Sequence, residues 1–164
     1  MLAARKLVLL AVAVMAAGCA PAPLRSPSGV DQPPATTRPE AARDAAVLAV
    51  TLVGVPYRYG GMSPDSGFDC SGLVWYVYRQ AAGLALPRST AAMERAGRPV
   101  EQNDMRPGDL VFYNTLGRPF SHVGIYVGER RFIHAPSSGG AVEMVSMQNS
   151  YWTRRFSGVR RFTL

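Results

Sequence analysis

One cysteine and two histidines downstream of it are the residues of this chain best suited to covalent chemistry. The 164-residue sequence contains two cysteines and two histidines. Cys19 lies at the end of an N-terminal apolar segment, whereas Cys70, His122 and His134 lie in the remainder. A single thiol with separate imidazoles is the minimum set for a thiolate nucleophile. On cysteine count alone, a buried structural cysteine explains Cys70 equally well.

The sequence around Cys70 predicts the N-terminus of a helix, a setting that favours a thiolate. Asp69 is a good N-cap residue, apolar residues then recur at helical spacing, and Gly83 ends the pattern. The helix dipole and the free N–H groups there favour negative charge and suit an oxyanion. We therefore expect a lowered pKa for Cys70, provided that the Asp69 carboxylate caps the helix and points away from the sulfur.

His122 lies on a predicted strand with one apolar face. Successive side chains of a strand point to opposite sides, so an apolar set must face the main core: Val123, Ile125 and Val127. His122 then points to the other side. Gly124 shares that side and is expected to leave room above it.

His134 lies on the next predicted strand, twelve residues after His122. Opposed residues of an antiparallel hairpin point to the same side. A loop of three or five residues centred on Glu129 would place both imidazoles on one face. A two-residue turn between unbulged strands would place them on opposite faces. A catalytic pair therefore predicts the odd-numbered loop.

The remaining patterns predict an α+β domain. Helices are predicted at 41–53, from Cys70 to Gly83, and at 89–96. Strands are predicted at 109–113, 121–127, 131–135 and 159–164. Helices followed by strands are typical of the α+β class, and Trp75 and Trp152 are expected to contribute to the core.

The first forty residues indicate export and tethering. Arg5 and Lys6 precede an apolar run that is too short to span a bilayer, and small residues lead to Cys19. The cysteine after Ala-Ala-Gly resembles the processing site of bacterial lipoproteins, where it is lipidated; an ordinary signal cleavage between residues 17 and 22 is the alternative. We predict a signal at 1–18, a Pro-rich tether at 19–40 and one folded domain at 41–164.

Charge and spacing argue against two other classes. The formal charge is +7, and removal of Arg5 and Lys6 leaves 7 − 2 = +5. Every remaining cation is an arginine, which suits bidentate recognition of carboxylates or phosphates. The arginines are scattered rather than arranged in a stripe, so nucleic-acid binding is not predicted. The chain lacks closely spaced Cys or His pairs, so neither a metal nor another cofactor is predicted.

Six segments occur in the order seen in NlpC-type cell-wall peptidases, and the chain resembles that family over most of residues 45–164. The segments are Pro56-Tyr57-Arg58-Tyr59-Gly60-Gly61, Phe68-Asp69-Cys70-Ser71-Gly72-Leu73, Leu86-Pro87-Arg88-Ser89, Arg106-Pro107-Gly108-Asp109-Leu110-Val111-Phe112, Ser121-His122-Val123-Gly124-Ile125-Tyr126-Val127-Gly128 and Phe132-Ile133-His134-Ala135. The resemblance implies a reduced papain-like fold, in which a helix with the nucleophile at its N-terminus packs on an antiparallel sheet.

The resemblance also implies roles for individual residues. Cys70 is similar to the family's nucleophile and His122 to its general base, while His134 occupies the position of the polar residue that orients the base. Tyr57 is similar to a tyrosine that helps to hold the oxyanion. Three further residues match positions that line the substrate groove: Asp69, Ser71 and Arg88.

The implied activity is peptidoglycan endopeptidase, a thiol protease that hydrolyses amides of stem or crosslink peptides through a Cys thioester. Relatives cleave γ-D-glutamyl–diaminopimelate bonds or D-alanyl–diaminopimelate crosslinks. We expect a monomer that acts on peptidoglycan peptides and is held by lipid on Cys19, with Ala20 favouring the outer membrane, facing the periplasm. The alternatives are a related acyl transferase or amidase, and a non-catalytic envelope-binding lipoprotein.

Overall fold

A computed structural model describes residues 38–162 of the chain. The predicted signal, Cys19 and nearly all of the predicted tether lie outside the described residues. In chain order the elements are α1 (Arg38–Thr51), β1 (Met62–Ser63), β2 (Gly67–Phe68), α2 (Cys70–Ala82), α3 (Thr90–Ala96), β3 (Arg98–Val100), a 3-10 turn (Gln102–Asp104), β4 (Leu110–Tyr113), β5 (His122–Gly128), β6 (Arg131–His134), β7 (Glu143–Ser146), α4 (Ser150–Thr153) and β8 (Phe156–Arg161).

The framework of the domain is a six-stranded sheet in the order β3-β8-β4-β5-β6-β7. Each neighbouring pair is antiparallel. The strands β1 and β2 form a separate two-stranded hairpin just before α2. Helices packed on an antiparallel sheet confirm the predicted α+β class.

Apolar residues cover both faces of this sheet. On one face, α1 and α2 pack on β4, β5 and β6 through a cluster that includes Leu73, Val77 and Ile125. On the other face, a smaller cluster around Tyr113 and Phe132 packs against Trp152 of α4. Within residues 38–162, no helix combines the length and hydrophobicity needed to cross a membrane.

Helix α2 is well defined by its two ends and its buried face. The Asp69 side chain accepts a hydrogen bond from the Gly72 N–H, which satisfies one of the free donors of the first turn. Gly83 ends the helix in the left-handed conformation (φ 64°), which glycine adopts without a Cβ penalty. The buried side of α2 packs on α1, whose Ala45 and Ala49 permit close approach. These contacts fix the position of Cys70 at the start of α2.

The structure contains the helices and strands that the sequence patterns predict, with some ends shifted, and several short elements that the patterns did not predict. The first helix begins at Arg38 and ends at Thr51 instead of spanning 41–53, and β8 begins at Phe156 instead of at 159. Helices α2 and α3 begin after the N-caps Asp69 and Ser89. The elements that the patterns did not predict have two to four residues each, a length at which the periodic signal is weak: β1, β2, β3, β7 and α4.

The predicted loop between β5 and β6 is wrong in length, although the consequence drawn from it holds. Gly128 pairs with Arg131, so the turn contains only Glu129 and Arg130, both with positive φ (49° and 53°). A bulge at Val127 adds one residue to β5, because Tyr126 pairs with Phe132. With this extra residue, the two-residue turn gives the same side-chain orientation as the predicted odd-numbered loop. Both histidines therefore project to the same side of the hairpin, where their rings meet.

Candidate active site

Cys70 is the first residue of α2, and its thiol lies where backbone N–H groups converge. The N–H groups of Cys70 and Ser71 come from the helix terminus, and that of Val123 comes from β5. All three act on the sulfur as donors and favour its anion. The side chain is half-buried. Cys70 therefore lies beside the residue that directly follows His122.

The resting thiol is not activated in the way that its position on the helix suggests. Burial, with a smaller contribution from the nearby Asp69 carboxylate, raises the pKa of Cys70 to about 11. The three N–H groups lower the pKa but do not compensate. The expectation of a lowered pKa was wrong, because removal of water from the sulfur outweighs the helix terminus. At neutral pH the thiol keeps its proton until a base accepts it.

The two imidazoles form a buried pair. Nε2 of His122 lies 2.9 Å from Nδ1 of His134, and the rings are nearly perpendicular. The two residues are 2% and 1% exposed. Burial lowers the pKa of His122 to about 4, and burial together with repulsion from a charged His122 lowers the pKa of His134 to about 3. Both rings are therefore neutral at rest, so His122 is free to accept a proton.

The hydrogen bond between the rings uses one nitrogen of each imidazole, so each ring has a second nitrogen that can contact another group. Nδ1 of His122 is the nitrogen that the pair does not use. Nε2 of His134 is buried without a hydrogen bond of good geometry, yet it lies 3.3 Å from Oε1 of Glu143 on β7. His134 and Glu143 are directly opposed in the sheet. A line of three side chains thus runs from β5 across β6 to β7.

Aromatic rings hold the imidazoles in place. Trp152 stacks on His122 with 5.7 Å between ring centroids and meets His134 edge-on at 4.8 Å. Phe132 lies 5.2 Å from His134. The space above Gly124 is not open as expected, since a Cβ there would lie 2.5 Å from the Phe132 ring. Gly124 admits this ring rather than a substrate.

Asp69 connects the start of α2 to the segments that carry Gly60 and Arg88. Oδ1 accepts hydrogen bonds from the Gly72 N–H (2.6 Å) and the Ser71 hydroxyl (2.9 Å). Oδ2 accepts one from the Gly60 N–H (2.9 Å) and forms an ion pair with Arg88 at 3.6 Å. The carboxylate thus serves as the cap, as the sequence requires.

Tyr57 lies in the segment before β1, close enough to Cys70 and Asp69 for their charges to act on its hydroxyl. Its backbone forms a β-bridge with Phe68, and its N–H donates a 2.8 Å hydrogen bond to the carbonyl oxygen of Gly140. Burial raises the pKa of Tyr57, and the charges of Cys70 and Asp69 raise it further. The hydroxyl therefore stays protonated at neutral pH as a hydrogen-bond donor near the thiol.

The structure thus gathers the candidate residues at one end of α2. Sequence reasoning missed Glu143, because β7 was not predicted and only its pairing with β6 brings Glu143 to His134. A charged residue between Val142 and Met144 was the available signal. Trp152 was assigned to the core, and it also covers the imidazoles. Within residues 38–162, no group of three or more His, Cys, Asp or Glu side chains has the arrangement of a metal site.

The sequence of the chain matches a known protein family over most of the described residues. Residues 54–161 match the NlpC/P60 family. The chain is 44% identical over 112 residues to murein DD-endopeptidase MepH of Escherichia coli, which covers 66% of this chain and 41% of that protein. It is 45% identical over 115 residues to gamma-DL-glutamyl hydrolase of Bacillus subtilis, covering 70% and 28%. The chain therefore spans less than half the length of these two relatives.

Solved structures share the fold. An NLP/P60-family protein of Staphylococcus aureus, described as similar to lipoprotein, superposes with a TM-score of 0.69 at 31% identity, covering 82% of this chain and 45% of that one. The NlpC/p60 domain of the peptidoglycan hydrolase SagA gives 0.63 at 34% identity, covering 74% and 98%. RipD of Mycobacterium tuberculosis, a non-catalytic NlpC/p60 protein described as adapted to peptidoglycan binding, gives 0.58 at 26%, covering 73% and 96%.

Proposed function

Because this chain belongs to the NlpC/P60 family, we propose that it is a peptidoglycan endopeptidase that uses Cys70 as its nucleophile. The observation that carries the proposal is the arrangement around the thiol. Cys70 opens a capped helix, its sulfur lies against the Val123 N–H, and the preceding residue, His122, is hydrogen-bonded to His134. The names of the relatives, murein endopeptidase and peptidoglycan hydrolase, support this class of substrate.

In the proposed reaction, thiol and imidazole begin neutral. As the sulfur attacks the amide carbon, its proton moves to Nδ1 of His122 and a C–S bond forms. His122 then gives that proton to the amide nitrogen, so that the C–N bond breaks and the amine leaves. Water hydrolyses the thioester, which releases the carboxylic acid product and restores the thiol. His134 holds His122 in orientation through the 2.9 Å contact.

The developing oxyanion needs donors that are already in place. The N–H groups at the start of α2 and the protonated Tyr57 hydroxyl are our candidates. We assign Asp69, Ser71 and Arg88 to the substrate groove beside them. Arg88 is partly exposed, so its guanidinium can exchange part of its ion pair with Asp69 for a carboxylate of the peptide.

Mass spectrometry of soluble products from purified peptidoglycan tests the reaction class. Hydrolysis yields fragments with a new amine and a new carboxyl group, and their masses assign the bond. Products in which the acyl group has been passed to another amine would identify a transferase instead.

RipD supports a second candidate, a peptidoglycan-binding protein without catalysis. That candidate predicts cosedimentation with peptidoglycan and no soluble products from the wild-type chain. Appearance of hydrolysis products in the same incubation would exclude it.

We also propose that residues 1–18 form a lipoprotein signal, that residues 19–40 form a tether and that Cys19 is lipidated. Cys19→Ala is then expected to move the protein from the membrane fraction to the soluble fraction without loss of peptidase activity in an extract. Retention of the variant in the membrane fraction would contradict the anchor.

A further inference from the structure

The buried Nε2 of His134 faces Glu143, a residue that the sequence patterns did not assign to the site. Nδ1 of His134 faces His122 and its Nε2 faces Oε1 of Glu143, at 2.9 Å and 3.3 Å. Nε2 is fully buried and has no hydrogen bond of good geometry to another group. Glu143 lies on the edge strand β7, with 52% of its side chain exposed. The carboxylate thus approaches the buried nitrogen from the solvent side.

The proton positions follow from the role of His122 in the proposed function. To accept the proton of Cys70 at Nδ1, neutral His122 must carry its own proton on Nε2. That N–H donates to Nδ1 of His134, so Nδ1 is unprotonated. His134 must then carry its single proton on Nε2, which faces Glu143.

We infer that Glu143 is a positioning residue, whose carboxylate accepts the Nε2–H of His134 and so fixes the tautomers of both imidazoles. The inference rests on the proposed function for the direction of proton transfer. The titratable groups that face His134 are His122 from β5 and Glu143 from β7, while α4 contributes the indole of Trp152. The proton of Cys70 passes through His122 to the leaving amine and does not move to Glu143, which only orients His134.

The tautomers can be measured without any activity. The full chain has two histidines, so a ¹⁵N-histidine NMR spectrum contains two imidazoles, and His134→Gln assigns them. We expect the Nε2–H tautomer for both rings in the wild type. In Glu143→Ala, His134 is expected to shift towards a mixture with the Nδ1–H form, whereas Glu143→Gln retains an acceptor oxygen and the original tautomer. An Nδ1–H form of His134 in the wild type, or an unchanged tautomer in Glu143→Ala, would overturn the inference.

Kinetics provide the second readout. Loss of one charge-assisted hydrogen bond to the orienting histidine predicts a kcat about five- to tenfold lower for Glu143→Ala, with KM unchanged. Glu143→Gln should recover most of that loss. Glu129→Ala is the matched control, since it removes an exposed glutamate that pairs with Arg131 on the same hairpin, and it should match the wild type. A kcat for Glu143→Ala within twofold of the wild type would refute the role. A wild type that releases no products would instead refute the proposed function, and the tautomers would still decide the inference.

Discussion

At the scale of single residues, the acidity of Cys70, the proposed nucleophile, is set by the balance between desolvation and backbone donors. Burial and, to a smaller extent, the Asp69 carboxylate raise the pKa of Cys70 to about 11. The same burial keeps His122 neutral. We therefore expect a neutral thiol–imidazole pair at rest instead of a preformed ion pair. The rate at which iodoacetamide alkylates Cys70 should then continue to rise with pH well above 7, and it should show no plateau at acidic pH.

Asp69→Asn tests the electrostatic part of this balance. Asparagine is an equally good N-cap, so α2 should persist, while the charge that raises the thiol pKa is lost and Arg88 loses its partner. Both changes favour the thiolate, so we expect the alkylation midpoint to move to lower pH, with a rate at pH 8 about three- to tenfold higher. Asp65→Asn, an exposed acid in the preceding turn, is the control. A midpoint that stays in place or moves up would show that Asp69 does not act on the sulfur.

Residue types and spacing predicted much of the site, but not its energetics. The scarcity of Cys and His singled out Cys70, His122 and His134, and the cap motif placed Cys70 on α2. The direction of the thiol pKa shift was missed, because it depends on how much water the surrounding chain removes. Glu143 was missed because its contact with His134 depends on strand pairing between residues nine apart in sequence.

At the scale of elements, the start of α2 is held by close backbone contact. A Cβ on Gly72 would lie 1.9 Å from the carbonyl oxygen of Gly61, the same oxygen that accepts the Asp69 N–H. This close approach holds α2 against the segment before β1. It also explains why glycine follows Cys70 by two residues.

Gly72→Ala should therefore destabilise the protein strongly. Because the clash is with backbone, we expect a loss of about 3 kcal/mol in the free energy of unfolding, measured by urea denaturation. Gly83→Ala at the other end of α2 is the comparison: its φ is positive but no atom lies within 4 Å, so about 1 kcal/mol is expected. Equal losses in the two variants would mean that the contact with Gly61 does not constrain the helix.

The hairpin β5–β6 shows why register resisted prediction. Alternation of side chains correctly assigned Val123 and Ile125 to the main core. Loop length and bulge enter the register together, and a two-residue turn with one bulged residue gives the same parity as a three-residue loop. Nothing in the local sequence separates these two solutions, since Glu129 and Arg130 are not typical residues for a turn with positive φ.

At the scale of the whole molecule, two partly buried ion pairs fix strand β8 to the rest of the domain. Arg161 on β8 forms two hydrogen bonds of 2.7 Å with the carboxylate of Asp109, which is 3% exposed. Asp109 also accepts the Arg106 N–H at 2.8 Å. Arg160 pairs with Glu94 of α3. Strand β8 thereby connects α3 and β4, which precede it by about fifty residues or more.

Arg161→Ala should be much more costly than loss of an exposed pair. It leaves the Asp109 carboxylate buried without its cation, so we expect about 3 kcal/mol less stability at neutral pH. Arg131→Ala, which breaks the exposed pair with Glu129, should cost under about 0.5 kcal/mol. Thermal and urea unfolding of both variants provide the comparison. Similar losses for the two would remove the argument that Asp109 anchors β8.

The most direct test of the central claim is the rate at which purified peptidoglycan is digested by Cys70→Ala beside the wild type. Alanine removes the sulfur and retains the helix start, so unfolding curves should remain close to those of the wild type. We expect the wild type to release soluble peptides, and we expect Cys70→Ala to release them at least about a thousandfold more slowly. Digestion by Cys70→Ala at the wild-type rate would contradict the assignment of Cys70 as the nucleophile.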